Sequence, residues 1–188
     1  MKIGFFGGSF DPIHIGHLHL AIELSEKHKL DEVLFCPTSQ SPHKKHAPPI
    51  ASKDHRRAMV TAAISPFPQF TFFDYELQKS ESCYTIETIQ YLTEKNPKDD
   101  FFLLLGEDSA RTLTTWKEYI ELLKLAPPLV GSRDKDFELP LLKKGWTSIP
   151  RIEISSTWIR DRIKQGKYAG HLVPCKVWDY IQSHDLYK

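Results

Sequence analysis

Short apolar runs alternate with stretches of helical periodicity along this chain of 188 residues. Apolar runs of strand length fall at residues 2–6, 32–36, 69–73, 101–105 and 128–130, with a possible short one at 149–154. Helical patterns fall at residues 15–28, 52–64, 84–94, 109–125, 156–165 and 176–184, and loops are predicted at 37–49 and 131–146. Strands that are apolar throughout are typical of a sheet covered on both faces. The alternation predicts an α/β fold, a doubly wound and mostly parallel sheet with a small C-terminal helical part.

The size and composition of the chain predict one globular domain over residues 1–188. Its formal net charge is +1, so no global basic field would recruit nucleic acid or an anionic membrane. Apolar runs are too short to cross a bilayer, and the first residues enter a strand pattern rather than an export signal. Three widely separated cysteines indicate reduced thiols rather than a zinc knuckle or disulfides. We expect a cytoplasmic protein, and the pattern indicates no particular oligomeric state.

A glycine-rich turn separates the first predicted strand from the first predicted helix. It reads Gly7-Gly8-Ser9-Phe10-Asp11-Pro12-Ile13-His14-Ile15-Gly16-His17. Glycines let backbone amides approach an anion closely, and the helix adds the positive end of its dipole. The turn has neither the G-x-G-x-x-G spacing of dinucleotide folds nor a Walker lysine. Because His14 and His17 would share one helical face, contact with phosphate is favoured over metal ligation with His19 and over simple capping.

A second candidate anion site is the segment Ile154-Ser155-Ser156-Thr157-Trp158-Ile159-Arg160. Ser155 or Ser156 can cap the helix that follows. Thr157 and Arg160 would then project from one face of its first turn. Taken alone, the segment could also be an ordinary serine-capped helix with a surface arginine.

Together the two segments resemble the HxGH and ISSTxxR elements of the nucleotidyltransferase superfamily. Within it, nearly the whole chain resembles the bacterial nicotinate-nucleotide adenylyltransferases. Further segments carry that resemblance: Ser41-Pro42-His43-Lys44, Tyr84-Thr85-Ile86-Glu87-Thr88, Leu105-Gly106-Glu107-Asp108 with Leu113 and Trp116, and Leu172-Val173-Pro174. The resemblance implies adenylyl transfer from ATP to nicotinate mononucleotide in NAD biosynthesis, giving deamido-NAD and pyrophosphate. It implies direct in-line attack without a covalent enzyme intermediate, and Mg²⁺ bound mainly through ATP and pyrophosphate.

The resemblance also assigns roles to individual residues. The expected catalytic residues are His17, His14 and Arg160. The expected ATP-binding residues are Gly7, Gly8, Ser9, Phe10, Gly106, Ser155, Ser156, Thr157 and Arg133. The expected mononucleotide-binding residues are Lys44, His43, Thr85, Asp108 and Trp116. The Trp116 indole would stack on the pyridinium ring, and no protein metal ligand is expected.

Several of these residues also allow structural interpretations. Trp116 has helix-spaced apolar neighbours, as a core residue would, and Asp108 could cap the helix that follows it. The loop around Lys44 could be a solvated basic surface, and Arg133 could be a surface arginine. Asp11 is either a helper behind the phosphate contacts or a turn residue, and the turn is favoured.

Two other functions compete with adenylyl transfer to nicotinate mononucleotide. The acceptor could be another phosphorylated small molecule such as phosphopantetheine, but Trp116 and the Tyr84-Thr85 pair argue against it. The chain could instead be a non-catalytic sensor of ATP or NAD, although a sensor need not keep His14, His17 and Arg160. The choice between nicotinate and nicotinamide mononucleotide stays open, because backbone amides would make the discriminating contacts.

Overall fold

A single parallel sheet of six strands forms the centre of the computed structural model, which describes residues 1–39, 48–79, 83–132, 146–150 and 152–188. The strands are β1 (Lys2–Gly8), β2 (Glu32–Pro37), β3 (Phe70–Phe72), β4 (Asp100–Gly106), β5 (Pro128–Ser132) and β6 (Trp146–Ser148). Their order across the sheet is β3-β2-β1-β4-β5-β6, and every neighbouring pair is parallel. This order confirms the predicted doubly wound sheet.

The helices between the strands agree with most of the predicted ones. The described helices are α1 (Ile15–His28), α2 (Lys53–Ile64), α3 (Thr85–Lys95), α4 (Glu107–Arg111), α5 (Tyr119–Leu125), α6 (Ser156–Lys164) and α7 (Cys175–Ser183). Short 3-10 turns cover Leu113–Thr115 and Gly170–Leu172. Helices α1, α2, α3, α6 and α7 confirm the predictions to within one residue at either end.

One predicted helix is wrong. Residues 109–125 were expected to form one helix, but the chain forms α4, a 3-10 turn and α5 there. Trp116 has extended backbone angles, and Glu118 has left-handed ones with a φ of 52°. Both halves direct apolar residues, such as Leu113 and Leu122, into the same core. The apolar periodicity therefore continues across residues whose backbone is not helical.

The last strand lies before the predicted position. β6 covers Trp146–Ser148, and the described residues between 149 and 154 form no strand. The predicted loop at 131–146 is wrong at both ends, because β5 continues to Ser132 and β6 begins at Trp146. Residues 133–145 lie outside the described part of the chain. An edge strand can carry polar residues such as Thr147 and Ser148, so apolar runs alone do not reveal it.

Two apolar cores lie on opposite faces of the sheet. Helices α1, α2, α6 and α7 share the first, with buried residues that include Leu24, Met59, Ile159 and Ile181. Helices α3, α4 and α5 share the second, with buried residues that include Ile86, Ala110 and Leu122. Because strand side chains alternate between faces, Phe5 enters the second core and Phe6 the first. The C-terminal helices are thus part of the core that also supports α1.

The strand order reverses beside β1. β2 lies on one side of β1 and β4 on the other, although β4 follows much later in the chain. Doubly wound sheets bind ligands at such a point, outside the carboxyl ends of the strands. β1 ends at Gly8 and β4 at Gly106. The glycine-rich turn therefore begins at the edge where a ligand is expected.

A buried carboxyl group lies beside α3. Glu76 is 2% exposed, and the Thr88 hydroxyl donates to its Oε1 at 2.9 Å. Burial raises the pKa of Glu76 from its ordinary value of 4.5 to about 7. The folded state therefore holds this proton more tightly than the unfolded chain does. Its contribution to stability is complete below about pH 4.5 and is lost as the pH rises towards 7.

The variant Glu76→Gln removes this titration and keeps an oxygen that can accept from Thr88. We expect its thermal unfolding midpoint to fall less between about pH 5 and about pH 8 than that of the wild type. Glu94→Gln changes an exposed carboxyl on α3 and should follow the wild type. An equal fall of the unfolding midpoint in Glu76→Gln and in the wild type would contradict the raised pKa of Glu76.

Candidate active site

The packing of Phe10 fixes the turn after β1. Phe10 is buried and has left-handed backbone angles with a φ of 46°. Its ring meets that of Phe6 edge-on, with 5.4 Å between the centroids. A Cβ at Gly8 would lie 3.1 Å from the Phe10 ring. A side chain at position 8 would therefore displace the ring that holds the turn in place.

The two histidines of the turn stack on each other. Their ring centroids are 3.6 Å apart and the rings are inclined by 24°. His14 is the residue that precedes the first turn of α1, with extended backbone angles, rather than a helical residue as expected from the spacing. Its N–H donates to Nδ1 of His17 at 3.2 Å. Since an accepting nitrogen carries no proton, the neutral His17 ring holds its proton on Nε2.

The environment of His14 keeps this ring neutral. His14 is buried, and burial lowers its pKa to about 4. Its Nδ1 has no hydrogen-bond partner among the described residues. A Cβ at Gly16 would lie 3.1 Å from that nitrogen, so the glycine between the histidines leaves room for the ring. At neutral pH His14 can offer hydrogen bonds to a ligand, but it carries no positive charge.

Helix α6 is fastened to the glycine-rich turn. Ser155 caps the helix by accepting from the Trp158 N–H at 3.2 Å, which confirms the predicted cap. The Ser156 hydroxyl donates to the Pro12 carbonyl at 2.9 Å. Arg160 Nη1 donates to the Asp11 carbonyl at 2.7 Å. The two motifs, almost 150 residues apart in sequence, therefore form one structural unit.

Two cavities meet at this unit. The larger has a volume of about 700 Å³, and its lining includes Gly7, Gly8, Ser9, Phe10, His14, His17, Gly106, Asp108, Ser155, Ser156, Thr157 and Arg160. The smaller has a volume of about 210 Å³, and its lining includes Gly7, Gly8, Ser9, Tyr84, Thr85, Ser109, Trp116 and Lys117. Because the same three turn residues line both cavities, two ligands bound in them would meet at the turn.

The structure brings most of the expected site residues into these cavities. The expected catalytic residues and the described residues of the expected ATP site line the larger one. The expected mononucleotide residues are divided, since Thr85 and Trp116 line the smaller cavity and Asp108 lines the larger. His43, Lys44 and Arg133 lie outside the described residues.

Arg56 is a site residue that the sequence patterns did not identify. It is 1% exposed, and its Nη1 donates to the carbonyls of Ser9 at 2.9 Å and Thr38 at 2.6 Å. Its Nη2 donates to the Ser39 carbonyl at 3.2 Å. It therefore ties the glycine-rich turn to the segment after β2. The available signal was its place three residues before Met59, on the apolar face of α2.

Asp11 lies in the turn, and its carboxylate has partners in other segments. The N–H of Ile50 donates to Oδ2 at 2.7 Å, and the N–H of Ala51 donates to Oδ1 at 3.1 Å. The Tyr187 hydroxyl also donates to Oδ1, at 2.7 Å. The carboxylate thus joins the turn to the residues before α2 and to the C-terminal residues.

The described side chains do not suggest a metal site built from protein ligands. Among the described ranges, no group of three or more His, Cys, Asp and Glu side chains is placed to hold a metal ion. His19, the third member of the conceivable histidine site, directs its Nε2 to the Pro150 carbonyl at 3.0 Å.

The variant Arg56→Lys tests the tie between the turn and the segment after β2. Lysine cannot reach all three carbonyls, so buried acceptors lose their donor, and we expect a loss of about 1–3 kcal/mol in the free energy of unfolding. Arg57→Lys changes the neighbouring half-exposed arginine, which forms an ion pair with Asp74 at 3.5 Å. The free energy of unfolding of that control, measured in urea, should stay within about 0.5 kcal/mol of the wild-type value. Equal losses in the two variants would contradict the role of Arg56.

Comparison with known proteins identifies the family to which the chain is similar. Residues 5–162 match the family model described as cytidylyltransferase-like. The chain is 36% identical over 186 residues to a probable nicotinate-nucleotide adenylyltransferase of Oceanobacillus iheyensis, with 99% of this chain and 96% of that protein covered. It is 38% identical over 194 residues to the protein of the same name from Thermus thermophilus, with 100% of each covered.

Solved structures show the same fold. The nicotinic acid mononucleotide adenylyltransferase of Plasmodium falciparum complexed with NaAD is similar with a TM-score of 0.80 and 22% identity, over 99% of this chain and 97% of that one. The same enzyme complexed with APC gives a TM-score of 0.76 and 23% identity, over 99% and 96%. No helix among the described residues has the length and apolar character needed to span a bilayer. The chain belongs to the nicotinate-nucleotide adenylyltransferase family, within the cytidylyltransferase-like group.

Proposed function

We propose that this chain transfers the adenylyl group of ATP to nicotinate mononucleotide and thereby forms deamido-NAD and pyrophosphate in NAD biosynthesis. The observation that carries the proposal is the meeting of two cavities at Gly7, Gly8 and Ser9. One cavity contains the histidine pair and the arginine of α6, and the other contains an indole. A transferase that joins two nucleotides needs two such sites, with the reacting phosphates at their junction.

ATP is assigned to the larger cavity. Its triphosphate would lie between the glycine-rich turn and the start of α6, where Thr157, Arg160 and backbone amides are available. Arg160 is held towards this space by its bonds to the Asp11 carbonyl and, at 3.2 Å, to the Thr157 hydroxyl. Arg133 is proposed as a further ATP contact on the strength of the family resemblance alone.

Nicotinate mononucleotide is assigned to the smaller cavity. The electron-rich face of Trp116 suits a cationic pyridinium ring. Thr85 is the first residue of α3, so the positive end of this helix suits the nicotinate carboxylate. Lys117 adds a positive charge here, fixed by Glu87 at 2.8 Å. His43 and Lys44 are proposed to contact the mononucleotide phosphate, and Asp108 to bind a ribose from the larger cavity.

Transfer would follow from alignment of the two substrates. An oxygen of the mononucleotide phosphate forms a bond to the α-phosphorus of ATP while the bond from that phosphorus to the bridging oxygen breaks, and pyrophosphate leaves. The N–H of His17 Nε2 would donate a hydrogen bond to an oxygen of the phosphoryl group in transfer, where negative charge accumulates. His14 would add a neutral donor beside it. No side chain needs to act as a nucleophile, because the acceptor phosphate already carries the attacking oxygen.

Mg²⁺ is proposed to enter bound to ATP. It would be held mainly by phosphate oxygens and water. When bound, it would neutralise charge on the leaving pyrophosphate. Arg160 would neutralise charge on the same group from the protein side.

The direct test is release of pyrophosphate from ATP in the presence of different acceptors. We expect rapid release with nicotinate mononucleotide and much slower release with phosphopantetheine. The rate with nicotinamide mononucleotide, compared with the rate with nicotinate mononucleotide, measures how well the α3 amides select a carboxylate. Pyrophosphate release with phosphopantetheine but not with nicotinate mononucleotide would assign a different acceptor. ATP binding without pyrophosphate release in the presence of any of these acceptors would indicate a sensor.

The variant His17→Ala tests the phosphoryl contact. Loss of one donor to the charge that forms in the transition state predicts a kcat at least about 100-fold lower, with the fold intact. His28→Ala is the matched control, since His28 lies at the other end of α1 and contacts Thr147 Oγ1 at 2.9 Å. Its kcat should match that of the wild type. Near-normal turnover by His17→Ala would exclude the assigned role.

The variant Trp116→Ala tests the stacking contact. We expect the KM for the mononucleotide to rise at least about 10-fold, because a stacked aromatic contact contributes about 1–3 kcal/mol. The KM for ATP should change little, and Trp116→Phe should recover most of the affinity. If both KM values rise together in Trp116→Ala, the indole supports the core instead of the substrate.

A further inference from the structure

The C-terminal residues of the chain return to the active-site turn. α7 ends at Ser183, and the chain then folds back through Asp185 and Tyr187, which both have left-handed backbone angles with φ values of 50° and 66°. Such angles are unfavourable for residues other than glycine. They bring the Tyr187 side chain into the core, where it is 9% exposed. The unfavourable backbone thus accompanies a buried and specific side-chain contact.

That contact is with the carboxylate of Asp11. The Tyr187 hydroxyl donates to Oδ1 at 2.7 Å, and the Ala51 N–H donates to the same oxygen at 3.1 Å. The other oxygen, Oδ2, accepts from Ile50 at 2.7 Å. Asp11 is 3% exposed, so these donors replace the water that a carboxylate normally needs. The phenol supplies one of the two short bonds to this anion.

The same carboxylate lies close to an arginine of the proposed ATP site. Arg160 Nη1 is 4.0 Å from Asp11 Oδ2, but it donates at 2.7 Å to the carbonyl of Asp11 instead. The Arg160 side chain therefore lies beside a buried anion, and both residues line the cavity assigned to the triphosphate. A carboxylate with fewer donors attracts a nearby guanidinium more strongly, particularly where water is excluded. The position of Arg160 thus depends on how well Asp11 is satisfied by its other partners.

We propose that Tyr187 is a positioning residue for ATP, whose hydroxyl satisfies Asp11 and so keeps Arg160 available to the triphosphate. Burial and the neighbouring Asp11 carboxylate raise the pKa of the Tyr187 phenol. The phenol therefore stays a donor throughout the pH range of any assay. The inference rests on the proposed placement of ATP, but it does not depend on the identity of the acceptor.

The experiment measures ATP affinity by calorimetry without an acceptor, in a double-mutant cycle of Tyr187→Phe and Arg160→Ala. We expect Tyr187→Phe to weaken ATP binding about 10-fold, the scale of one hydrogen bond to a charged group. In the Arg160→Ala background the same change should have almost no effect, because the effect acts through Arg160. A merely structural role would give equal losses in both backgrounds and would overturn the proposal. Unchanged affinity in Tyr187→Phe would overturn it as well.

Tyr180→Phe is the matched control. It removes a phenol hydroxyl from α7 that contacts His55 Nδ1 at 3.0 Å, outside both cavities. Its ATP affinity should equal that of the wild type, and a loss as large as that of Tyr187→Phe would overturn the proposal. With nicotinate mononucleotide present, Tyr187→Phe should raise the KM for ATP and leave the KM for the mononucleotide unchanged.

A measurement on the wild type covers the case in which Tyr187→Phe does not fold. If the C-terminal residues stabilise the ATP-binding arrangement, linkage requires ATP to stabilise those residues in return. Amide hydrogen exchange at Leu186 and Tyr187 should therefore slow when ATP is added. Unchanged exchange at saturating ATP would overturn the proposal. Because no acceptor is present, failure here is distinct from failure of the proposed reaction, which pyrophosphate release tests.

Discussion

The buried carboxylate of Asp11 is the point at which the parts of the site are joined. It accepts from two backbone amides before α2 and from the C-terminal phenol, and the backbone carbonyl of the same residue accepts from Arg160. A buried anion is tolerated only when its hydrogen bonds are satisfied, so each of these segments must be in place for the turn to be stable. Arg56 adds a second tie, from α2 to the carbonyl of Ser9. The glycine-rich turn is thus held from several sides by the protein itself.

This rigidity bears on how the proposed reaction would be accelerated. Two polyanions must approach each other, and a site with fixed donors reduces the reorganisation that this approach requires. The stacked histidines illustrate the principle, because the His14 N–H fixes the tautomer of His17 and thereby places a proton on Nε2. Burial keeps His14 neutral, so the pair can stand face to face without repulsion between two cations.

Local patterns predicted most of the fold and the family. The bounds of α1 follow from its apolar face, and the sheet follows from the alternation of elements. The two motifs predicted two anion sites, and the structure brings those segments together. The prediction of one continuous helix at 109–125 is wrong because apolar spacing cannot show where a helix is interrupted when the segments on both sides pack into one core. The strand at Trp146–Ser148 was missed because polar edge strands carry little periodic signal.

The contacts that hold the site together could not be predicted from the sequence. Tyr187 and Asp11 are 176 positions apart, and their hydrogen bond depends on left-handed backbone angles after α7. No glycine marks these positions in the sequence. Arg56 stands in a run of charged residues that resembles a solvated surface, although the fold buries it. Such contacts are set by the tertiary arrangement of whole elements, and one sequence does not show which partners these side chains meet.

The central claim is that this site aligns an acceptor phosphate with ATP for direct displacement, without a bond between protein and nucleotide. The most direct measurement is the stereochemical course at the α-phosphorus, followed with ATP that carries sulfur in one defined configuration at that atom. A single in-line displacement predicts inversion of configuration in the dinucleotide product. Retention would require two displacements through a covalent enzyme intermediate, and it would contradict the account.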